Sequence, residues 1–166
     1  MAKKQRYLIA MGSNVRHARH GRPRDVLAAA CKRLDADGVK VKAVAPVVMT
    51  APLGPSLRRY ANGAVVVKTK LKPDELMDRL GKVERDFGPR RRGQRWRARV
   101  LDLDIVLWEG GAWASTDLIV PHADFRSRDF VLRPSAAIAG DWRDPVTNLT
   151  LRHIFARLTR PRPTPR

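Results

Sequence analysis

Cysteine is almost absent from this chain: Cys31 is the only one in 166 residues. That excludes an internal disulfide and a cysteine-based metal cluster, and it fits a reducing cytoplasm, where we expect the protein to work. Cys31 falls in a helical apolar pattern and reads as an inert core thiol. Long apolar runs are missing too, and none approaches the roughly 20 residues that a membrane span needs. The run Tyr7 to Met11 is too short for a signal peptide and lacks a small-residue cleavage site. Acidic residues are scarce, 16 against 34 Lys and Arg, which leaves a net charge of +18. Such a surface attracts anions, whether nucleotides, nucleic acid or acidic lipids, but it does not specify a fold. No internal repeat and no linker divide the chain, so we expect one domain over 1–158. The proline-rich basic segment 159–166 reads as a disordered tail.

What is present has the periodicity of a mixed α and β domain. Tyr7-Leu8-Ile9-Ala10-Met11 is a buried strand stopped by Gly12-Ser13-Asn14. Val15 to Arg24 is irregular and reads as a mobile surface loop. Asp25 to Leu34 places Val26, Leu27, Ala30 and Leu34 at helical spacing, ending near Gly38. Val39 to Val44 alternates as a half-buried strand, and Ala64 to Thr69 is a further strand. Between them, the prolines and glycine of Thr50 to Pro55 break both helix and strand ladders. Lys72-Pro73-Asp74-Glu75 opens a helix with proline in its first turn and acidic groups at its positive end. That helix turns Leu76, Leu80 and Val83 inward and stops before Gly88-Pro89. Val100 to Leu107 alternates as a strand, and two short helical patterns follow, near Ser135–Ala139 and Leu151–Leu158. The order strand, helix, strand, strand, helix, strand predicts an α+β ferredoxin-like sandwich. Its sheet would be antiparallel, with helices on one face and a C-terminal extension.

Two neighbouring features carry chemistry. Asp102 and Asp104 stand two apart on a predicted strand, so both carboxylates project from one face. Like charges side by side are unfavourable unless a cation or an arginine compensates them. Paired carboxylates suit magnesium, which fills its remaining positions with water and phosphate oxygens. A solvated strand face neutralised by nearby arginines is the plainer account. Just before the aspartates runs the basic loop Arg90 to Arg99, with Trp96 among its arginines. Cations and metal ions that neutralise phosphate charge are what phosphoryl transfer requires. An RNA-binding patch would also combine arginine with an exposed aromatic, but it leaves the adjoining aspartates unexplained.

The stretch Arg95-Trp96-Arg97-Ala98-Arg99-Val100-Leu101-Asp102-Leu103-Asp104-Ile105 resembles the signature of 6-hydroxymethyl-7,8-dihydropterin pyrophosphokinases. Gly12-Ser13-Asn14, Thr50-Ala51-Pro52-Leu53-Gly54, Tyr60-Ala61-Asn62, Val120-Pro121-His122 and Arg128-Asp129-Phe130-Val131-Leu132 match further family segments in the family's order. The resemblance implies transfer of diphosphate from ATP to the hydroxymethyl group of a reduced pterin, a step of folate synthesis that releases AMP. It implies that Asp102 and Asp104 hold two Mg²⁺ ions and that Arg91 and Arg99 grip phosphates. Glu84, Arg95, Trp96, Ile105, His122 and Arg128 would surround the nucleotide. The pterin would stack between Tyr60 and Phe130, with Asn62, Thr50 and the backbone near Leu53 reading its polar edge. The partners implied are these small molecules, on a monomer that needs no membrane. A diverged member that binds nucleic acid, or one that acts on a modified pterin, stays open at this point. The chain departs from the pattern at Ala51, Leu57, Gly81, Pro89, Arg97, Ala98 and Ala123. None of these positions removes a metal ligand, a stacking aromatic or the asparagine.

Overall fold

A computed structural model describes residues 2–51, 59–88 and 99–165. Strand β1 (Gln5–Ser13) is central, with β4 (Tyr60–Thr69) and β5 (Asp102–Trp108) antiparallel on either side of it. The far edge of β4 pairs with β2 (Lys40–Val44) along one half and with the short strand β3 (Val48–Thr50) along the other. The order β2-β4-β1-β5 is that of the ferredoxin-like sandwich the sequence predicts. Strand β3, not picked out from the sequence, extends the sheet beside the Tyr60 end of β4.

Helices α1 (Pro23–Ala36) and α2 (Pro73–Phe87) start with the same local chemistry. Each has proline at its first position, where no N–H is needed. In each, the third residue reaches back, so that Asp25 accepts from the Arg22 N–H and Glu75 from the Lys72 N–H, both at 3.0 Å. Helix α1 stops at Gly38, whose φ of 80° allows the Val39 N–H to fold back on the Leu34 carbonyl. The loop before α1 is shorter than the expected Val15–Arg24, because Pro23 and Arg24 are already helical. It is also a built turn: His17 and Gly21 exchange backbone hydrogen bonds, and the His17 and His20 rings pack on Phe87.

Strand alternation divides the apolar residues between two layers. Tyr7, Ile9 and Met11 of β1 and Leu103 and Ile105 of β5 pack against Val26, Leu27, Leu76, Leu80 and Val83 of α1 and α2. Cys31 is half-buried against this layer, 3.8 Å from the Met11 sulfur, and burial pushes its thiol up to about 11. That fits the inert role expected of it. Leu8, Ala64, Val66 and Val106 face the other way, toward α3 (Asp129–Ala139) and α4 (Leu151–Thr159). The C-terminal extension is therefore the second layer of the sandwich. Helix α3 begins six residues before the pattern near Ser135 and carries Pro134 inside it. Thr150 caps α4 by accepting from the His153 N–H at 3.2 Å. Past α4, residues 160–165 are exposed and have no regular structure. Among the described residues, no helix is long and apolar enough to cross a membrane.

Candidate active site

The second face of the sheet is not closed along its whole length. Register sets Asp102 opposite Gly12 and Asp104 opposite Ala10, while Asn62 stands across β1, also opposite Gly12. All three polar side chains thus share the face that α3 covers. Here β1 offers only Ala10 and Gly12, and a β-carbon on Gly12 would already lie 3.7 Å from Asn62 and 4.0 Å from Asp102. Any larger side chain at position 12 would occupy the space between them. What remains is a cavity of about 360 Å³ lined by Asn14, Thr50, Tyr60, Asn62, the two aspartates, Arg128 and Phe130, among others. Further along the same strands, Leu8, Val66 and Val106 close the face with ordinary apolar packing.

The polar groups around this cavity are held from several elements. The Asn62 amide donates to the Thr50 hydroxyl at 2.9 Å, tying β4 to the end of β3. Asn14 fixes the entry to β5: its side-chain oxygen accepts from the Arg99 N–H at 2.7 Å, and its own N–H donates to the Arg99 carbonyl at 3.0 Å. Arg99 in turn donates to the Asp102 carboxylate at 2.9 Å. His122 lies beside β5, with its N–H donating to the Val106 carbonyl and its ring Nδ1 accepting from the Asp124 N–H. Arg128, the N-cap of α3, pairs with Asp124 at 3.1 Å and sits 5.9 Å from the Phe130 ring centre.

Among the described residues, the site is short of positive charge at Asp104. Burial pushes the Asp104 carboxyl above the ordinary range and the neighbouring Asp102 pushes it further, against the pull of His122, Arg99 and Arg128. Burial also raises the Tyr60 phenol, and Asp102 adds to it while Arg99 opposes. Two carboxylates on one strand face, with Arg99 engaging only Asp102, are what a hard divalent cation with phosphate ligands would complete. This donor set fits magnesium.

The structure thus brings together Thr50, Tyr60, Asn62, Asp102, Asp104, Arg128 and Phe130, which the sequence ties to one site. Glu84 is buried on α2, in the first layer, and does not line the cavity. The Ile105 side chain also belongs to the first core, so only its backbone could reach a ligand on the second face. Leu53, Arg91, Arg95 and Trp96 lie outside the described residues. Sequence reasoning passed over the small residues of β1, Ala10 and Gly12, as space-makers, and over Val131 as a wall. It also took Asn14 only for the end of a strand. An asparagine directly after a buried strand was the available signal, because such side chains commonly bond nearby backbone.

Residues 8–140 match the family model described as 7,8-dihydro-6-hydroxymethylpterin-pyrophosphokinase, HPPK. The chain belongs to this family. A relative from Pseudomonas aeruginosa, a 2-amino-4-hydroxy-6-hydroxymethyldihydropteridine pyrophosphokinase, is 37% identical over 143 residues, 85% of each chain. One of the same name from Methylorubrum extorquens is 34% identical over 92% of this chain and 93% of its own. Among solved structures, Plasmodium falciparum HPPK-DHPS with pteroate superposes with a TM-score of 0.69 at 12% identity over 93% of this chain. An HPPK-DHPS in complex with substrates gives a TM-score of 0.72 at 10% identity, likewise over 93% of this chain. At such identities these two speak for the fold, and the chain spans less than half of either, 42% and 43%. As an HPPK, the protein is a diphosphate-transferring enzyme of folate biosynthesis.

Proposed function

We propose that this HPPK moves the terminal diphosphate of ATP onto the hydroxymethyl oxygen of 6-hydroxymethyl-7,8-dihydropterin. The oxygen attacks the β-phosphorus in line and releases its proton to solvent, the bond from that phosphorus to the α-phosphate bridging oxygen breaks, and AMP leaves. The observation that carries the reading is the shared face. The Asp102 and Asp104 carboxylates open into the same cavity as Tyr60, Asn62 and Phe130, across one strand of small residues.

Asp102 and Asp104 would hold magnesium. When bound, the metal would neutralise charge on the transferring phosphates and help align donor with acceptor. The remaining work falls to the chain itself. Tyr60 and Phe130 offer aromatic faces for a flat heterocycle, and Asn62, oriented by Thr50, offers a carbonyl and an N–H to its polar edge. Arg128, at the N-cap of α3, and His122, in the loop before it, would face the phosphates. Arg99 would transfer its fork from Asp102 to a phosphate oxygen when nucleotide arrives. Arg91, Arg95 and Trp96 enter the proposal from the sequence resemblance alone, as further phosphate and base contacts. Glu84 is kept as a nucleotide-side group on the same ground, and Ile105 through its backbone. Phosphoryl transfer of this kind proceeds by positioning and charge neutralisation, so no side chain has to act as a general base.

The deciding experiment measures AMP release from ATP and Mg²⁺, with and without the pterin, for the native protein and for Asp102→Ala. Pterin-dependent AMP that disappears in the folded variant supports the reaction and the carboxylate role together. A folded native protein that releases no AMP in the presence of pterin overturns the reading.

A further inference from the structure

The segment that delivers Arg128 and Phe130 to the cavity, and sets His122 beside β5, has little regular structure of its own. Between the short strand Ile119–Val120 and α3 it contains only the 3-10 turn Phe125–Ser127. Phe125 packs in the second core, and an ion pair to a buried carboxylate ties the turn to a segment beyond α3. Arg126 at its centre donates through Nε and Nη2 to both oxygens of Asp144, at 2.6 and 2.7 Å. Asp144 lies beyond α3, past residue 140 where the family match ends.

Asp144 is built as a fixed point. Its side chain is wholly buried, and its carboxylate also accepts from the Val146 N–H at 3.0 Å and the Thr147 hydroxyl at 2.8 Å. Its own backbone is anchored twice, to the Leu149 carbonyl and the Asn148 N–H, both at 2.8 Å. The Arg126 guanidinium in turn lies 4.6 Å from the centre of the buried Phe125 ring. A planar two-point fork locks orientation as well as distance. Arg126 is four residues after His122, two before Arg128 and four before Phe130. A rotation of the turn about a lost anchor would therefore displace two cavity groups, Arg128 and Phe130, together with His122 beside β5.

We propose that Asp144, acting through Arg126, is a positioning residue for this HPPK: it sets where His122, Arg128 and Phe130 stand at the active site. Neither residue of the pair lines the cavity, so the effect is transmitted through the turn rather than by contact with substrate. This rests on the pyrophosphokinase reading above for its kinetic consequence, but not for its structural one.

The test compares native protein with Asp144→Asn, which keeps shape and loses charge, and with Arg126→Lys, which keeps charge and loses the fork. All are assayed well below their melting temperatures. Expected are higher KM values for both pterin and ATP, with kcat/KM down about tenfold or more in Asp144→Asn. Arg126→Lys should lie between that variant and the native protein. In parallel, amide hydrogen exchange over residues 122–130 should quicken in both variants while that of β1 and β4 stays unchanged. A lower melting temperature with native KM values and native exchange over 122–130 would mean that the pair merely stabilises the fold, and overturns the proposal. If the native protein shows no turnover, the enzymatic reading fails and the exchange data decide the positioning claim by themselves. Should Asp144→Asn not fold, Arg126→Lys carries both measurements.

Discussion

The two faces of the sheet are built on the same strands and serve opposite ends. Toward α1 and α2, β1 presents Tyr7, Ile9 and Met11 to an apolar core cluster, beside which Glu84 of α2 is buried, and the Tyr7 hydroxyl is satisfied by the Leu71 carbonyl at 2.6 Å. Toward α3 and α4, the same strand presents Leu8, Ala10 and Gly12, so side-chain volume falls away along its length. Where volume is lost, Asn62, Asp102 and Asp104 occupy the flanking strands. A sheet can thus be sealed on one side and open a polar cavity on the other by changing only alternate residues, since neighbours along a strand point to opposite faces. The sealed face supplies rigidity, and the open face spends some of that stability on charge in a partly buried setting.

Several substitutions would test this division. The largest effect should come from Asp104→Asn on the open face. We expect turnover to fall on the order of 10³-fold, while without magnesium the protein melts at a higher temperature at neutral pH. The sign follows from the raised Asp104 carboxyl: it is more basic folded than unfolded, so its ionised form opposes folding once pH exceeds the folded value. The gain should vanish in acid, where both states are protonated, and thermal melts from pH 3 to 8 would read it out. An unchanged or lower melting temperature at neutral pH would show that the open face carries no such cost.

On the sealed face, Leu80→Ala removes a fully buried side chain and should cost about 2–5 kcal/mol in urea unfolding. The KM values of the folded fraction should stay native. Altered substrate affinity in that variant would mean that the two faces are not independent.

The smallest effect expected belongs to the anchor behind the open face. Burial alone would raise the Asp144 carboxyl, but hydrogen bonds from Arg126, Thr147 and the Val146 N–H hold it at about 2, below its ordinary 3.8. A depressed carboxyl contributes stability above its unfolded value and loses it as pH falls toward the folded one. An acid titration of native protein against Asp144→Asn should therefore converge between pH 4 and pH 2. Parallel curves across that range would remove Asp144 from the account.

Much of this site was legible before any coordinates, for identifiable reasons. Asp102 and Asp104 needed only the period of a strand to share a face, and the paired helix starts at Pro23 and Pro73 needed only local chemistry. Strand β3 was not legible, because three half-buried residues before a proline carry no periodic signal. The helical start at Asp129 was hidden by Pro134, which removes a backbone donor that a helix would normally use. Ile105 illustrates a different limit: it lies inside the signature stretch, yet alternation turns its side chain into the first core.

The sequence by itself determined the main strands and helices, their order and the residue types that chemistry demands, because periodicity, caps and charge spacing are properties of neighbouring residues. Only the tertiary structure decided that Gly12 separates Asn62 from Asp102, that Asn14 holds Arg99 from 85 positions away, and that Asp144 steadies the turn before α3. Those relations depend on strand register and on loops meeting across the sheet. Contacts between residues so distant along the chain are set by how whole layers pack, and no local pattern encodes them.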